Sequence, residues 1–492
     1  MTDPANLIYF QSDNHNYRLL GCYGHPLVQT PHLDALARRG TRFANSYCAS
    51  TLCCPSRASI ATGRYPHQTG YWDNAIAYDG RVPSWMRRLR EQGHAVVSVG
   101  KLHFRSEEAD NGFCEEIVPM HLVDGVGGLI GLLRYSDEPP KHGQWELYME
   151  ETGVGATAYQ AYDREITRQA IGWLNRHGRG GGKPWTLFVS YVSSHPPFTI
   201  PQRLMDLYPL ERMPLPVRFR PEERPNHPAL RHLRHVKGWR EMTDEATLRR
   251  IAAAYFGLVT HLDEQIGEVL AAADSLGLLA NTRLLYTTDH GESYGHHGLF
   301  GKGHLYEHAA RVPLIMSGPG VPAGRVVEQI TSHVDLFPTL VAGAGARLNE
   351  ADGDLPGISL WPALGGQERP RTGFCEYHAT GSKSAGFLLR EGDDKLVYHV
   401  GMPSQLFDLR ADPEETRDLV ELGGAGEEAQ RLEARLRERL DPEEVDRRAK
   451  SDQEAHAEKH GGYEAIRQRG DFVYTPPPGV EAKFLADDAP AP

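Results

Sequence analysis

The sequence is poor in cysteine, has no long apolar run and carries no excess of basic residues. Six cysteines in 492 residues do not suggest a disulfide scaffold, and the adjacent Cys53 and Cys54 lack the second pair that a zinc ribbon needs. The longest near-apolar stretch, 125–133, is far shorter than the about 20 residues that span a bilayer. A formal net charge of -12 argues against a broadly basic nucleic-acid-binding surface. We therefore expect no membrane span and no nucleic-acid partner.

The first residues also lack the features of a secretory signal. No basic segment precedes their apolar part, and Asp3 and Pro4 interrupt it. Together with the low cysteine content, this predicts a protein of the reducing cytoplasm. What the sequence does have is ordinary globular composition, with 40% hydrophobic and 24% charged residues, and as many as 24 histidines. Histidines in this number are compatible with metal and proton-transfer chemistry near neutral pH.

Alternating strand and helix patterns predict the fold of the first three quarters of the chain. Four apolar runs have the length of buried strands and are each followed by polar residues: 6–11, 95–99, 185–192 and 283–287. Helical patterns lie between them, at residues 31–39, 82–92, 164–177 and 247–276. This alternation predicts an α/β fold with a mostly parallel sheet flanked by helices. Ligands bind beyond the carboxyl ends of such strands, so one pocket can gather the polar residues that follow them.

The pattern changes near residue 365, and we expect a catalytic domain over 1–364 and a smaller α+β domain over 365–492. The second part has short strand patterns at 373–378, 386–390 and 395–400. A charged helix follows, with leucines every fourth residue that serve packing or an oligomer contact: Leu432, Leu436 and Leu440. The proline-rich tail is predicted to be extended and partly disordered.

Residues 53–64, with the sequence CCPSRASIATGR, are the most informative segment. As local structure alone, they predict a loop that enters a helix at Pro55. The segment also resembles the signature of the type I sulfatases, Cys-x-Pro-Ser-Arg followed by Thr-Gly-Arg, a family of the alkaline phosphatase superfamily. The resemblance implies an alkaline-phosphatase-like α/β core. It also implies that formylglycine-generating machinery oxidises Cys53 to formylglycine, whose hydrate is the nucleophile.

Two Asp-containing pairs follow predicted strands and resemble the metal site of this family. A lone pair such as Asp13-Asn14 is usually a turn or a helix cap. Together with Asp289-His290, it resembles the ligand set that binds one divalent metal ion and the formylglycine formed from Cys53. Asn14 stands where many sulfatases carry a second aspartate. Carboxylate and amide oxygens suit Ca²⁺, whereas an imidazole ligand makes Mn²⁺ a competitor, and the sequence leaves both open.

Further motifs occur in the family's order. Lys101 and His103 stand in a Gly-Lys-x-His element, His195 in a His-x-Pro-Phe element, and Lys302 in Lys-x-x-x-Tyr-Glu. Each residue alone is more often a solvated lysine or a core histidine. The resemblance implies that Lys101 binds the anionic group and that His103 helps to break down the covalent intermediate. It places His195 near the leaving oxygen and makes Lys302 a second clamp or the proton donor.

Two other residues complete the predicted catalytic and substrate-binding set. The resemblance implies that Arg57, one helical turn after the nucleophile, neutralises charge there. Asn74 resembles the asparagine that touches the substrate oxygens in the branch with choline sulfatases and phosphonate monoester hydrolases. Family-like segments run from about residue 5 to 420. The tail beyond has no counterpart.

The resemblance implies a sulfuric ester hydrolase, near the arylsulfatases, that acts on a small-molecule sulfate ester. A phosphonate monoester or phosphodiester hydrolase using the same site is the nearest alternative. A non-catalytic metal-binding protein is the alternative of another class, and a phosphomutase-type transferase fits less well because such enzymes use Ser or Thr. The sequence does not name the alcohol half of the substrate, which we expect loops 118–144 and 200–239 to select. A homo-oligomer is also expected.

Overall fold

The computed structural model describes residues 3–140, 145–180, 182–239, 244–472 and 474–484. These residues form the strands β1 Asn6–Ser12, β2 Gly40–Tyr47, β3 Val96–Lys101, β4 Glu115–Met120, β5 Gly153–Val154, β6 Thr186–Ser190, β7 Thr199–Ile200, β8 Thr282–Thr288, β9 Arg311–Ser317, β10 Arg325–Val327, β11 Thr331–Ser332, β12 Thr372–Tyr377, β13 Gly386–Glu391, β14 Asp394–His399 and β15 Gln405–Asp408. Their α-helices are α1 Pro31–Arg38, α2 Cys53–Thr62, α3 Pro66–Thr69, α4 Trp85–Glu91, α5 Trp145–Met149, α6 Ala158–His177, α7 Gln202–Met205, α8 Pro228–Val236, α9 Glu245–Ser275, α10 Glu307–Ala310, α11 Leu336–Gly343, α12 Trp361–Leu364, α13 Gly426–Arg439, α14 Pro442–Lys459 and α15 Gly462–Arg469.

A large, mostly parallel sheet forms the centre of the molecule. Its strand order is β10-β2-β9-β8-β1-β6-β3-β4, and β11 also pairs with β2. Only β9, among the described strands of this sheet, runs antiparallel to its neighbours. The four strands predicted from the sequence are confirmed and are neighbours in the middle of the sheet, as β8-β1-β6-β3. Their carboxyl ends therefore meet at one edge.

The helices cover both faces of this sheet, as the apolar runs predict. Side chains alternate along a strand, so Ile8 and Phe10 pack with α1, α6 and α9, whereas Leu7 and Tyr9 pack on the other face with α2, α4 and α11. All four side chains are buried. A strand buried on both faces loses the polar–apolar alternation of a surface strand, which is why it is recognisable as a continuous apolar run.

The sequence patterns missed the outer strands of the large sheet. Strands β4 and β9 each contain a proline, Pro119 and Pro313, which weakens a strand pattern. Strand β2 is rich in polar residues, and β10 and β11 span only three and two residues. These strands are held by pairing with a sheet that already exists, a condition that is not visible in a local pattern.

A second sheet lies in the C-terminal part, with the antiparallel order β12-β13-β14-β15. Its first three strands match the predicted patterns within a residue, and β15 is additional. Leu432 and Leu436 of α13 are fully buried against this sheet, and Leu440 is partly buried there. The leucine repeat therefore serves intramolecular packing, and the homo-oligomer stays a prediction. The boundary at residue 365 also stays a prediction.

Buried polar contacts join the two sheets. The Lys395 ammonium of β14 lies 3.0 Å from a Glu307 carboxylate oxygen and 2.7 Å from one of Glu415. The Tyr47 hydroxyl of β2 donates to Glu307 and accepts from Arg390 of β13. All five side chains are buried, so these groups satisfy one another instead of water.

The last described residues, 474–484, form no helix or strand and lie near the carboxyl edge of the large sheet. The final prolines, for which disorder was predicted, lie outside the described residues. Among the helices that the structure describes, none combines the length and apolar character needed to cross a bilayer.

Candidate active site

Cys53 is the first residue of helix α2, at the carboxyl edge of the large sheet. In the structure it carries its unmodified thiol, which stands where the formylglycine oxygens would lie. The preceding Leu52 offers no side-chain cap, while the Cys54 backbone N–H donates to the Asn74 amide oxygen at 3.2 Å. The positive end of the helix dipole therefore faces the residue expected to become the nucleophile.

Four predicted residues meet as one cluster of possible metal ligands. One ligand atom each from Asp13, Cys53, Asp289 and His290 lie within 4.8 Å of one another, and all four residues are buried. The Cys53 sulfur is 3.2 Å from His290 Nε2 and 3.8 Å from Asp13 Oδ1. His290 Nδ1 lies 3.0 Å from the Gly291 carbonyl oxygen, a contact that places the proton on Nδ1 and leaves the Nε2 lone pair facing the cluster.

Arg57 fixes the two carboxylates of this cluster. Its Nε donates to Asp289 Oδ2 at 2.8 Å and its Nη2 to Asp13 Oδ2 at 3.1 Å. Its Nη1 donates to the Lys101 carbonyl and to the Ser190 hydroxyl. The guanidinium is 2% exposed, so these contacts satisfy it internally. Arg57 therefore orients the ligands and balances their charge through a planar fork that lysine could not reproduce.

Asn14 lies beside the cluster. Its side-chain oxygen accepts a hydrogen bond from Lys302 Nζ at 2.8 Å, and its Nδ2 donates to Glu292 Oε2 at 2.7 Å. Glu292 also accepts from the Tyr148 hydroxyl at 3.2 Å. Asn14 thus positions Lys302 next to Cys53, and its role as a metal ligand stays a prediction.

The charges of the site control the ionisation of its acids. Burial alone would raise the pKa of the Asp13 carboxyl, but the positive charges of Lys101, Arg57 and Lys302 outweigh it and hold the pKa well below its usual value. Lys101 Nζ is 2.6 Å from Asp13 Oδ2. Burial and Asp13 would raise the pKa of the Cys53 thiol, but the positive charge of Lys302 opposes them, and the pKa is lowered. The site is therefore built to stabilise negative charge at position 53.

The two predicted histidines line the cleft above Cys53. His103 Nε2 lies 2.7 Å from the Thr475 hydroxyl, while its buried Nδ1 has no hydrogen-bond partner among the described residues. His195 Nδ1 lies 2.6 Å from the Pro196 carbonyl oxygen. Burial, reinforced by Lys101 for His103 and by Lys302 for His195, lowers both pKa values well below 6.5. Both imidazoles are therefore neutral at pH 7 and can accept or relay a proton.

Several residues of this cleft were missed by the sequence analysis. Thr475 contacts His103, and its carbonyl accepts from the Tyr159 hydroxyl at 2.6 Å. Lys237 and Asp471 also line the cleft, and Glu292 holds Asn14. The sequence contains a signal only for Glu292, which lies three residues after Asp289, soon after the end of β8. Lys237 lies in the 200–239 segment, Asp471 and Thr475 lie in the C-terminal tail, and no motif marks any of them.

The chain is similar to known proteins over most of its length. Residues 5–346 match the family model Sulfatase, and residues 295–445 match the model "N-sulphoglucosamine sulphohydrolase, C-terminal". The chain is 32% identical over 430 residues to the choline-sulfatase of Rhizobium meliloti (strain 1021), with 85% of this chain and 83% of that protein covered.

Solved structures share the fold. A structure of BT4656 in complex with D-glucosamine-2-N,6-O-disulfate has a TM-score of 0.71 at 23% identity, covering 89% of this chain and 97% of that chain. A phosphonate monoester hydrolase of Agrobacterium radiobacter has a TM-score of 0.68 at 22% identity, covering 88% and 96%. The family match over most of the chain and the relative at 32% identity show that this chain belongs to the sulfatase family, hydrolases that act on sulfuric ester bonds.

Proposed function

We propose that the protein hydrolyses sulfate monoesters with a formylglycine formed from Cys53 and one divalent metal ion. One observation supports this most directly. The Cys53 sulfur lies at a helix start, 3.2 Å from His290 Nε2 and 3.8 Å from Asp13 Oδ1. The modified residue would occupy the same position as the thiol and share the cluster of possible metal ligands.

The donor set fits a divalent cation. Two carboxylates, one imidazole nitrogen and an oxygen of the modified residue 53 are ligands that both Ca²⁺ and Mn²⁺ accept. Asp13, Asp289 and His290 would hold the ion, with the Asn14 oxygen as a further candidate. When bound, the metal supplies positive charge that lowers the pKa of a coordinated hydroxyl and neutralises the sulfate oxygens.

The remaining residues orient the substrate and move protons. Formylglycine, as its hydrate, supplies one oxygen to attack sulfur and a second hydroxyl whose deprotonation allows sulfate release. Lys101 and Lys302 bind the sulfate oxygens, together with the Asn74 amide. The neutral His103 accepts the proton of the second hydroxyl at its unpartnered Nδ1. His195 lies near the leaving oxygen, and Lys302, which is protonated at neutral pH, supplies the proton. The pKa of Lys302 is raised by Cys53 and Asp13 against the effect of burial, which favours its role as a charged clamp.

Mass spectrometry of the tryptic peptide 43–57 tests the nucleophile. Protein from a host with formylglycine-generating machinery should show the mass change from thiol to aldehyde. Fragmentation must place this change at Cys53, because the peptide also holds Cys48 and Cys54. The Cys53→Ala variant is the control and should show no aldehyde and no turnover. An unmodified Cys53 in protein that is active on sulfate esters would contradict the proposal.

A phosphonate monoester or phosphodiester hydrolase is the second candidate. The phosphonate monoester hydrolase among the structural neighbours and the amides of Asn14 and Asn74 support it. Parallel kcat/KM measurements on 4-nitrophenyl sulfate and 4-nitrophenyl phenylphosphonate separate the two. We expect the sulfate ester to be the better substrate. A preference for the phosphonate would mean that the protein is a phosphonate monoester hydrolase that uses the same site.

The location and the assembly state are also proposals. The cytoplasmic location rests on the low cysteine content, and cell fractionation tests it. The homo-oligomer is tested by light scattering of the purified full-length chain. A monomer at micromolar concentration would exclude it under those conditions.

A further inference from the structure

Lys237 brings a third lysine side chain into the cleft. It directly follows helix α8, and its backbone N–H donates to the Leu233 carbonyl at 2.9 Å. The residue is only 5% exposed and lines the same cleft as Cys53, Lys101 and Lys302. It lies within the 200–239 segment, which the family motifs leave unassigned. Its position is therefore fixed by a helix end, and its side chain faces the substrate space.

The Lys237 ammonium has no partner among the residues that the structure describes. No hydrogen bond or ion pair joins its Nζ to any of them. Buried lysines are rare unless they are paired. Burial, reinforced by the charge of Lys302, lowers the pKa of Lys237 to about 7, while Asp471 and Cys53 act in the opposite direction. Conversion of Cys53 to the uncharged formylglycine would remove one of these two stabilising charges.

The other two lysines are already held beside the cluster of possible metal ligands, where the transferred sulfo group would bind. Lys101 Nζ is 2.6 Å from Asp13, and Lys302 Nζ donates to Asn14 at 2.8 Å. Together with a divalent metal ion, these two lysines can neutralise the single negative charge of a sulfate monoester. Lys237 is an additional amine that makes neither of these contacts. An anionic group on the alcohol half of the substrate, bound beside it, would favour its charged form.

We propose that Lys237 binds a second anionic group, of the carboxylate type, on the alcohol half of the sulfate ester. This inference rests on the proposed sulfatase function and names its substrate class: sulfate esters of hydroxy acids or acidic sugars. The competing arrangement is a cationic group on the alcohol half, as in choline O-sulfate. The two arrangements predict opposite charge preferences.

Three matched esters test the proposal on the full-length mature enzyme. They are 3-sulfooxypropanoate, its uncharged methyl ester and choline O-sulfate. We expect the wild type to prefer the carboxylate. Lys237→Met should lower kcat/KM for the carboxylate about 10- to 100-fold, the range for a charge-assisted contact, and for the methyl ester no more than about three-fold. Lys237→Arg, which keeps the charge, should retain most of the preference.

Three results would overturn the proposal. Equal losses on the carboxylate and the methyl ester would mean that Lys237 acts on the transferred sulfo group. A wild-type preference for the methyl ester or choline O-sulfate would contradict a second anion. Unchanged kinetics of Lys237→Met on the carboxylate would show that the lysine does not bind it.

A binding measurement separates this proposal from the sulfatase function itself. Calorimetric titration of the full-length Cys53→Ala variant with the same esters needs no turnover. About ten-fold weaker binding of the carboxylate ester after adding Lys237→Met supports the inference, and equal binding overturns it. If verified formylglycine enzyme hydrolyses none of the esters, the proposed function fails, while the titration still decides the role of Lys237.

Discussion

Two parts of the chain meet at the active-site cleft, and they differ in how they are held. The ends of β1, β3 and β8, with the start of α2, supply the buried cluster around Asp13, Lys101, Asp289 and Cys53. The C-terminal segment supplies Thr475 from a stretch without helix or strand, which nonetheless contacts His103. The comparison teaches that the candidate catalytic residues lie at the ends of strands and at a helix start, whereas residues distant in sequence complete the wall of the cleft.

Replacing Asp13 tests the strand-end part with the largest expected effect. Asp13→Asn removes a candidate metal ligand and the carboxylate that pairs with Lys101 and Arg57. We expect kcat/KM on a sulfate ester to fall at least about 10³-fold. Asp354→Asn, at an exposed carboxylate, is the matched control and should retain activity. Less than a ten-fold loss in Asp13→Asn would show that this cluster is not the catalytic centre.

Replacing Lys395 tests how firmly the C-terminal sheet is joined to the large one. Lys395→Met leaves Glu307 and Glu415 buried without their shared cation. We expect the free energy of unfolding in urea to drop by about 3 kcal/mol, since breaking a buried pair costs this much.

The matched control is Lys450→Met at the partly exposed pair with Asp446. This change should cost less than about 1 kcal/mol. Equal effects of the two changes would mean that the buried network does not lock the sheets together.

Replacing Thr475 tests the C-terminal segment directly. Thr475→Val keeps the side-chain shape but removes the hydroxyl 2.7 Å from His103 Nε2. We expect kcat to fall about 10-fold with little change in KM, because the histidine loses its orienting partner. Thr475→Ser should restore most of the rate. An unchanged kcat in Thr475→Val would show that the segment lines the cleft without affecting the function of His103.

The pH dependence of kcat sharpens this test. Burial and the charge of Lys101 lower the pKa of His103, so its proton binds only below the ordinary value of 6.5. The base therefore stays neutral as the pH falls through 6.5, and the acid limb of the wild-type profile should lie below that value. An acid midpoint at or above 6.5 would argue against His103 as the base.

Replacing Arg64 is the smallest change and concerns a motif residue. In the second half of the signature, Gly63 ends α2 at a φ of 66°, and Arg64 forms an ion pair with the exposed Asp354. Arg64→Ala should cost less than about 1 kcal/mol of stability and leave kcat/KM nearly unchanged. A large loss of activity would show that Arg64 contributes to catalysis despite its ion pair with an exposed carboxylate.

Much of the fold and of the candidate site could be predicted because the responsible signals are local. Strands buried on both faces are continuous apolar runs, and the polar residues that end them had to meet at one edge of a parallel sheet. The outer strands were not predicted. Strand β9 is interrupted by Pro313, and β10 and β11 are very short, so all three form only by pairing with an existing sheet. The contacts of Arg57 could not be predicted either, because its two carboxylate partners, Asp13 and Asp289, are far apart in the sequence.

By itself, the sequence determined the α/β architecture, a helix start at Pro55, which the structure moves back to Cys53, and the residues that gather around Cys53. These follow from the period of apolar residues and from motifs that are contiguous in the chain. Only the tertiary structure decided that Thr475 contacts His103, that Asn14 holds Lys302, and that Lys237 faces the cleft. The physical reason is that these contacts join side chains separated by up to 372 residues, and they form only when the packed sheets and helices bring distant segments together.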